Sequence, residues 1–247
     1  MCTALLSIEP GLPVLLVGVR DELVDRPWEP PGRHWRDRPE LIGGRDLQAG
    51  GTWLAVSPAN SRAGCVLNAR GQQAPEASRL SRGVLPLRAA AGEPLDRAGL
   101  GRLDPFHLLT AEPGRATWQS WDGSQLAQGE LPQGLHFVVN SGLAGGMAHE
   151  LARKAHFLPK LLAAARPDPR PGQPVKDAWG DWLPLLNGDG LGTGDDRALI
   201  LRRDLGGGRI WGTTSISLIA LWPGGLRYDF NGSPGDPDAW YEVGDSG

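Results

Sequence analysis

Three side chains near the start of the sequence can act together: the thiol of Cys2, the guanidinium of Arg20 and the carboxylate of Asp21. They stand at the ends of two short apolar runs that a turn rich in Pro and Gly separates. An antiparallel hairpin in which Ile8 lies opposite Val14 places Cys2 opposite Arg20, with Asp21 one residue beyond. The pattern therefore predicts a thiol, a cation and a carboxylate at one end of a sheet.

The position of Cys2 leaves two interpretations open. If Met1 is removed, Cys2 carries a free α-amino group, whose pKa of about 7.7 to 8.0 lets it act as a base toward its own thiol. Arg20 would then favour the thiolate, and Asp21 would hold Arg20 or the ammonium group in place. The alternative is a buried cysteine in an edge strand beside a surface pair of Arg and Asp.

The elements that must position these groups are mostly short strands, because Gly (36 residues) and Pro (22) are frequent and dispersed. We predict strands at Cys2–Ile8, Val14–Arg20, Thr52–Ser57, Gly64–Asn68, Arg115–Ser120, Gln125–Gln128, Leu135–Asn140, Arg209–Trp222 and Leu226–Phe230. Hairpins at both ends of the chain with helices between them indicate one α+β domain over residues 1–247, with antiparallel sheet.

The clearest helix is predicted at Met147–Arg166, with a kink or restart at Pro159. A shorter helix rich in Trp is predicted at Asp177–Leu186. The apolar residues at helical spacing in the longer helix are Leu151, Ala155, Leu158 and Leu162.

A second hairpin carries further polar and aromatic groups. If Ser57 lies opposite Gly64, Trp53 lies opposite Asn68. Just before this hairpin, residues 41–54 read LIGGRDLQAGGTWL, which by itself predicts two turns leading into a strand. Trp28 and Trp35 could join Trp53 in an apolar wall at the Cys2 end, although core packing is the ordinary role of such residues.

Composition excludes several classes of function. The 247 residues carry a net charge of −3, too acidic and interspersed for a protein that wraps nucleic acid. The apolar run at residues 12–19 is short and holds Pro13 and Gly18, so we expect no signal peptide or membrane span. Only two cysteines occur, Cys2 and Cys65, so we expect free thiols and a cytoplasmic protein.

Other signals are weak. His149 and His156 share a helix face, but no HExxH motif or carboxylate cluster accompanies them, so we predict no catalytic metal. The glycine-rich stretches at residues 190–194 and 206–208 lack the features of a phosphate loop or a dinucleotide fingerprint, and we expect plain loops there.

A set of short blocks, in order along nearly the whole chain, resembles the NRDE family, also called the transport and Golgi organisation protein 2 family. The blocks are Met1-Cys2, Arg20-Asp21-Glu22, Arg26-Pro27, Gly43-Gly44-Arg45-Asp46, Gly50-Gly51-Thr52-Trp53, Asn68, Ser81-Arg82-Gly83 and Gly212-Thr213. The resemblance implies a fold similar to N-terminal nucleophile hydrolases: a four-layer αββα sandwich of two antiparallel sheets covered by helices. Members of the family are linked to lipid and acyl-coenzyme A metabolism and to haem trafficking.

The sequence departs from the family pattern at two places. Val19 stands where the name-giving tetrapeptide begins with Asn, and Thr214 stands where the family usually has Arg after the late Gly-Thr pair. Among related cysteine amidases an Asn at the end of a central strand supports the oxyanion, and Asn140 occupies the similar position here.

Two functions from different classes follow from this resemblance. The first is a protein that binds or traffics a hydrophobic anionic small molecule, such as haem or an acyl-coenzyme A, without a required cofactor. Its expected ligand-binding residues are Arg45, Asp46, Trp53, Asn68 and Thr214. The second is an amidohydrolase acting on a linear C–N bond, with Cys2, Arg20, Asp21 and Asn140 as its catalytic residues. The oligomeric state stays open.

Overall fold

The computed structural model describes residues 2–143 and 146–244, so Met1 and the question of its removal lie outside the described residues. The strands of this part of the chain are β1 (Thr3–Ile8), β2 (Val14–Leu23), β3 (Trp28–Gly32), β4 (Ile42–Asp46), β5 (Leu54–Ser57), β6 (Arg62–Asn68), β7 (Phe106–Glu112), β8 (Arg115–Trp121), β9 (Leu126–Glu130), β10 (Gly134–Val139), β11 (Arg202–Asp204), β12 (Ile210–Trp222), β13 (Gly225–Asn231) and β14 (Trp240–Glu242). The α-helices are α1 (Val84–Ala91), α2 (Ala148–Ala163), α3 (Val175–Trp179) and α4 (Trp182–Leu186).

The strands form two antiparallel sheets. The first has the order β10-β1-β2-β12-β13-β14, with β11 added beside β12. The second runs in chain order from β3 to β9. Sequential antiparallel strands need only short turns, which the dispersed Gly and Pro supply.

Alternation along the strands divides the core into layers. Leu6 of β1 and Leu16 of β2 face the second sheet, where they pack with Leu54 and other apolar residues. Leu5 and Val17 face the opposite way and pack against the helices α2 to α4. Helix α1 covers the outer face of the second sheet. The fold is therefore a four-layer αββα sandwich, and the predicted fold class is confirmed.

The first hairpin has the predicted register. Thr3 pairs with Val19, and each following pair keeps the alignment implied by Ile8 opposite Val14. Strand β2 runs beyond the predicted end at Arg20 as far as Leu23, because β12 pairs with it over that length. A long central strand thus carries Arg20 and Asp21 in regular geometry.

The predicted register of the second hairpin is wrong by two residues. Ser57 pairs with Arg62, and the backbone N–H of Val66 donates to the Trp53 carbonyl oxygen at 2.9 Å. The chain reverses within four residues, because Ser61 adopts a left-handed conformation with φ of 47°. A shift of two residues preserves the face of each side chain, so Trp53 and Asn68 still reach the same end of the sheet.

The predicted helix is present as α2, which continues through Pro159 without a restart. The residues that face the core are Glu150, Arg153, Phe157 and Leu161, whereas Leu151, Ala155 and Leu162 are exposed. The first half of the helix packs against polar groups at the ends of β1 and β2, so charged side chains are buried there. Of the four apolar residues at helical spacing, only Leu158 packs against the core.

The region predicted as a single Trp-rich helix forms two short helices, α3 and α4. Gly180 separates them with φ of 46°, a conformation that a residue with a side chain rarely adopts. Trp179 and Trp182 are both buried against the first sheet. None of the described helices is long and apolar enough to cross a bilayer.

Candidate functional site

A cleft of about 570 Å³ opens at the end of the two sheets where β1 begins. It brings together six of the predicted site residues: Cys2, Arg20, Asp21, Asp46, Trp53 and Asn68. The hairpin of β1 and β2 supplies the first three, and the second sheet supplies the others. The cleft therefore lies between the sheets and is not formed by one sheet alone.

Arg20 is 4% exposed and is held from three sides. Its Nη1 donates to Thr214 Oγ1 at 2.8 Å, and its Nη2 donates to Asp46 Oδ2 at 3.2 Å. The guanidinium carbon lies 4.5 Å from the centroid of the Trp53 ring, within cation–π range. These contacts fix the guanidinium in one orientation beside the cleft.

Asp46 connects two arginines to a backbone turn. Arg26 donates to both of its carboxylate oxygens, at 2.5 and 3.0 Å, in addition to the bond from Arg20. The backbone N–H groups of Gln48 and Ala49 donate to Oδ1. Burial opposes ionisation of Asp46, but these hydrogen bonds outweigh it and hold the pKa of Asp46 below its ordinary value. The carboxylate is therefore charged at neutral pH.

Asp21 lies on the opposite face of β2 from Arg20, toward helix α2. It accepts a hydrogen bond of 2.7 Å from Thr213 Oγ1, and its Oδ2 lies 3.6 Å from Nη1 of Arg153. The same Arg153 nitrogen donates to Thr3 Oγ1 at 2.8 Å. Burial raises the pKa of Asp21, while Arg153 and Thr213 act in the opposite direction. This buried pair explains why α2 turns the charged side chain of Arg153 toward the core.

The Cys2 thiol is half-buried beside both groups and points toward the Asp21 carbonyl oxygen, 3.7 Å away. Burial raises the pKa of the Cys2 thiol, and Arg20 only partly offsets this effect. Arg20 therefore acts on the thiol in the expected direction, but its effect does not outweigh that of burial. Cys65 is buried among apolar residues, and this burial also raises the pKa of its thiol.

The two departures from the family pattern have different consequences. Val19 packs on the helix side of the first sheet, away from the cleft, so it removes no polar group from the cleft. Thr214 lies at a β-bulge in β12, where the register shifts between Thr213 and Ser215. Its hydroxyl accepts the hydrogen bond from Arg20, so Thr214 orients that guanidinium.

Asn140 lies outside the main cleft. It follows β10, which is an edge strand of the first sheet rather than a central one. It lines a smaller adjoining cavity of about 250 Å³ together with Cys2, Asp21 and Asn68. Its side-chain amide donates to the Asn68 backbone oxygen at 2.6 Å. Asn140 is therefore near the thiol but already fixes the neighbouring strand end.

Arg45 is not brought into the cleft. Its side chain is 41% exposed on the outer side of β4, where Nη1 lies 3.9 Å from a Glu29 oxygen. Of the other tryptophans, Trp28 stacks edge-on against Trp53 from outside the cleft, and Trp35 donates to the Gly50 carbonyl oxygen. Only Trp53 of the predicted aromatic wall faces the cleft.

Several residues of the cleft were not assigned a role from the sequence, among them Arg82 and Trp211. Arg82 belongs to the Ser-Arg-Gly block that resembles the family pattern, and this resemblance was the signal in the sequence that could have marked it as a site residue. Trp211 lines this cleft and two adjoining cavities, and no pattern in the sequence marks it. It reaches the site because β12 pairs with the extended end of β2, where Trp211 lies opposite Leu23.

Two glycine blocks meet beside the cleft and position Arg82. The Thr52 backbone N–H donates to the Gly83 carbonyl oxygen at 3.0 Å. A Cβ on Gly51 would lie 2.5 Å from the Gly83 carbonyl carbon, so only glycine permits this approach. The segment 81–83 is thereby fixed against the turn before Trp53. Within the described residues, no cluster of three or more His, Cys, Asp or Glu side chains is arranged to hold a metal ion.

The fold and the cleft define an αββα protein with a cysteine beside a buried Arg and Asp. The family model described as "Transport and Golgi organisation 2" matches residues 1–164, and the chain belongs to this family. Among solved structures the chain is similar to the Caenorhabditis elegans N-acylethanolamine-hydrolyzing acid amidase (NAAA) ortholog. The two share 12% identity over 98% of this chain and 100% of that chain, with a TM-score of 0.44. No curated protein gives a significant match.

Proposed function

We propose that the cleft binds an anionic small molecule with an apolar part, such as an acyl-coenzyme A or haem. The observation that carries this proposal is the lining of the cleft, in which guanidinium groups stand beside the indoles of Trp53 and Trp211. The guanidinium groups belong to Arg20, Arg26, Arg79 and Arg82. A volume of about 570 Å³ is within the usual range for small-molecule sites, which is roughly 300 to 1,000 Å³.

The charged lining favours an acyl thioester carrying phosphates over haem. Arginine binds phosphate and carboxylate through paired N–H groups. A porphyrin needs apolar contact over both faces, and here Trp53 and Trp211 share the cleft with at least as many charged side chains. The apolar chain of a thioester needs contact along only one side of the cleft.

Titration with palmitoyl-coenzyme A and with haemin, followed by tryptophan fluorescence and calorimetry, tests the proposal. We expect saturable binding with quenching, and weaker binding by Trp211→Ala because this indole lines the cleft. Arg45→Ala is the matched control, since Arg45 lies outside the cleft and its removal should leave binding unchanged. Absence of saturable binding for both ligands would refute the proposal.

A second candidate, amide hydrolysis, is favoured by the position of the thiol beside a buried Asp21. In this reaction the α-amino group of a processed Cys2 takes the thiol proton as Sγ adds to the acyl carbonyl carbon. The C–N bond then breaks, the amine leaves with that proton, and water hydrolyses the thioester. A chain that retains Met1 has no free amine on Cys2 to take the proton, and the raised pKa of the thiol further opposes attack by sulfur in that chain. Intact mass and turnover of short acyl amides test this candidate, and Cys2→Ala should abolish any turnover.

A further inference from the structure

Most guanidinium groups of the cleft already have carboxylate partners. Arg20 and Arg26 share Asp46, and Nε of Arg79 lies 3.2 Å from an oxygen of Asp104. Such paired groups have few N–H donors left for a ligand. Their main effect is to hold the cleft wall in place.

Arg82 differs from these residues. Its Nη1 donates to the Pro105 carbonyl oxygen at 2.7 Å, and no described carboxylate lies within ion-pair distance of its guanidinium. Its Nε and Nη2 make no hydrogen bond to the described residues and remain accessible to solvent. Arg82 and Cys2 line the same cleft, and burial lowers the pKa of Arg82.

The backbone around Arg82 is rigid. The Leu85 N–H donates to the Arg82 carbonyl oxygen at 2.9 Å, and the contact of Gly83 with Gly51 and Thr52 fixes the other side. With its backbone fixed and its guanidinium bonded to the Pro105 carbonyl oxygen, Arg82 has less conformational freedom left to lose when it binds a ligand. The close approach of the two glycine blocks therefore fixes the position of Arg82 at the cleft.

We propose that Arg82 is the residue that receives the anionic group, carboxylate or phosphate, of a ligand bound beside Cys2. This inference rests on the proposed function and names the residue that recognises the charge. The two free N–H positions of the guanidinium match the paired oxygens of either anion. Arg20 is a positioning residue, because Asp46 and Thr214 hold its guanidinium.

Two alkylating reagents of similar size test this assignment without the natural ligand. Iodoacetate carries a carboxylate, whereas iodoacetamide carries a neutral amide. With either reagent the Cys2 thiolate attacks the CH₂ carbon, so that an S–C bond forms as the C–I bond breaks and iodide leaves. The quantity measured is the rate with iodoacetate divided by the rate with iodoacetamide at Cys2. Dividing it by the same ratio for a free cysteine peptide gives a normalised ratio that reports recognition of the anion. Changes in thiolate fraction affect both reagents equally and cancel in the ratio.

We expect the normalised ratio to fall about tenfold in Arg82→Met, the size of one lost hydrogen bond to a charged group. Arg82→Lys keeps the charge and a donor for Pro105 but loses the paired N–H groups, so its ratio should be intermediate. Arg79→Met, which removes a neighbouring cleft arginine paired with Asp104, should change the ratio little. Absence of Cys65 labelling shows that each variant is folded.

Competition separates the two anions. Inorganic phosphate and acetate are each added as competitors, and the rate at which iodoacetate labels Cys2 is measured. Stronger slowing by phosphate than by acetate, seen with Arg82 but not with Arg82→Met, indicates a phosphate site. Stronger slowing by acetate indicates a carboxylate site. An unchanged ratio in Arg82→Met, or an equal fall in Arg79→Met, would overturn the assignment. Because the readout uses only small reagents, this result does not depend on whether palmitoyl-coenzyme A or haemin binds.

Discussion

The guanidinium of Arg20 donates to the Asp46 carboxylate across the gap between the two sheets, at 3.2 Å. Arg20 belongs to β2 of the first sheet, and Asp46 ends β4 of the second. This ion pair joins the sheets beside the cleft, and Arg26 and two backbone N–H groups complete the coordination of Asp46. The cleft therefore depends on one carboxylate that serves two arginines.

Asp46→Asn should destabilise the protein by about 3 kcal/mol near neutral pH, since it removes the carboxylate that pairs directly with the buried Arg20. The pKa of Asp46 is lower in the folded protein than its ordinary value, so its charge stabilises the fold fully above about pH 4. That contribution is lost as pH falls through the folded pKa. Urea unfolding at several pH values measures both effects.

The difference between the native protein and Asp46→Asn should be largest near pH 7 and should shrink below about pH 4. Glu130→Gln is the control, because its ion pair with Arg115 is exposed and should contribute only about 0 to 1 kcal/mol. A difference in stability that does not vary with pH would contradict the role given to the Asp46 charge.

Gly51→Ala should destabilise the protein by about 1 to 3 kcal/mol, because the added Cβ would overlap the backbone of Gly83. The substitution should also displace segment 81–83 and lower the iodoacetate preference at Cys2. Gly192→Ala is a suitable control, since a Cβ there meets nothing within 4 Å. Equal stability of the two variants in urea would show that the glycine contact is not tight.

A buried pair far from the cleft fixes the loop before α3. Arg227 donates twice to Asp229, at 2.7 and 3.0 Å, and also to the carbonyl oxygens of Arg170 and Gln173. Trp179 Nε1 donates to the same Asp229 carboxylate at 2.7 Å. Both charged side chains are fully buried. The strand pair β12 and β13 is thereby tied to the helical layer.

Asp229→Asn should destabilise the protein by about 3 kcal/mol, because it leaves the buried Arg227 charge with only the more distant Glu242 carboxylate, at 3.7 Å. Asp168→Asn changes an exposed pair with Arg170 in the same loop and should have an effect of less than about 1 kcal/mol. Thermal unfolding of the two variants compares them directly. A smaller loss in Asp229→Asn than in the control would be inconsistent with a structural role for the buried pair.

The two thiols should differ in reactivity. Cys2 is half-buried at the cleft, whereas Cys65 is packed between the sheets. Iodoacetamide should therefore label Cys2 first in the folded protein, at a rate that keeps rising with pH above the ordinary thiol pKa because burial raises the pKa of Cys2. Peptide mapping after partial labelling identifies the site. Preferential labelling of Cys65 would contradict this assignment, and labelling in urea provides the reference for equal access.

The first hairpin could be predicted from the sequence because its short turn and continuous apolar runs define one register. The second hairpin could not, since the left-handed Ser61 shortens the turn and nothing in the residue types announces it. Both predictions still placed Trp53 and Asn68 near Cys2, because an error of two residues leaves each side chain on its own face.

The roles of Arg20 and Arg82 depend on contacts between residues distant in sequence. Arg20 pairs with Asp46 across the sheets, and Arg82 reaches the cleft through the backbone contact of Gly83 with Thr52. Helix α2 shows the same limit, since Arg153 is buried only because Asp21 lies opposite it. Local patterns predict elements, whereas these partners follow from tertiary packing.

Protection of Cys2 from iodoacetamide by palmitoyl-coenzyme A tests the central claim most directly, because it measures binding and its location together. With the ligand at saturation, intact mass and peptide mapping should show that Cys2 labelling falls in proportion to occupancy, while Cys65 stays unlabelled. Palmitoyl-coenzyme A that binds at saturation and leaves the Cys2 labelling rate unchanged would contradict a ligand site in this cleft.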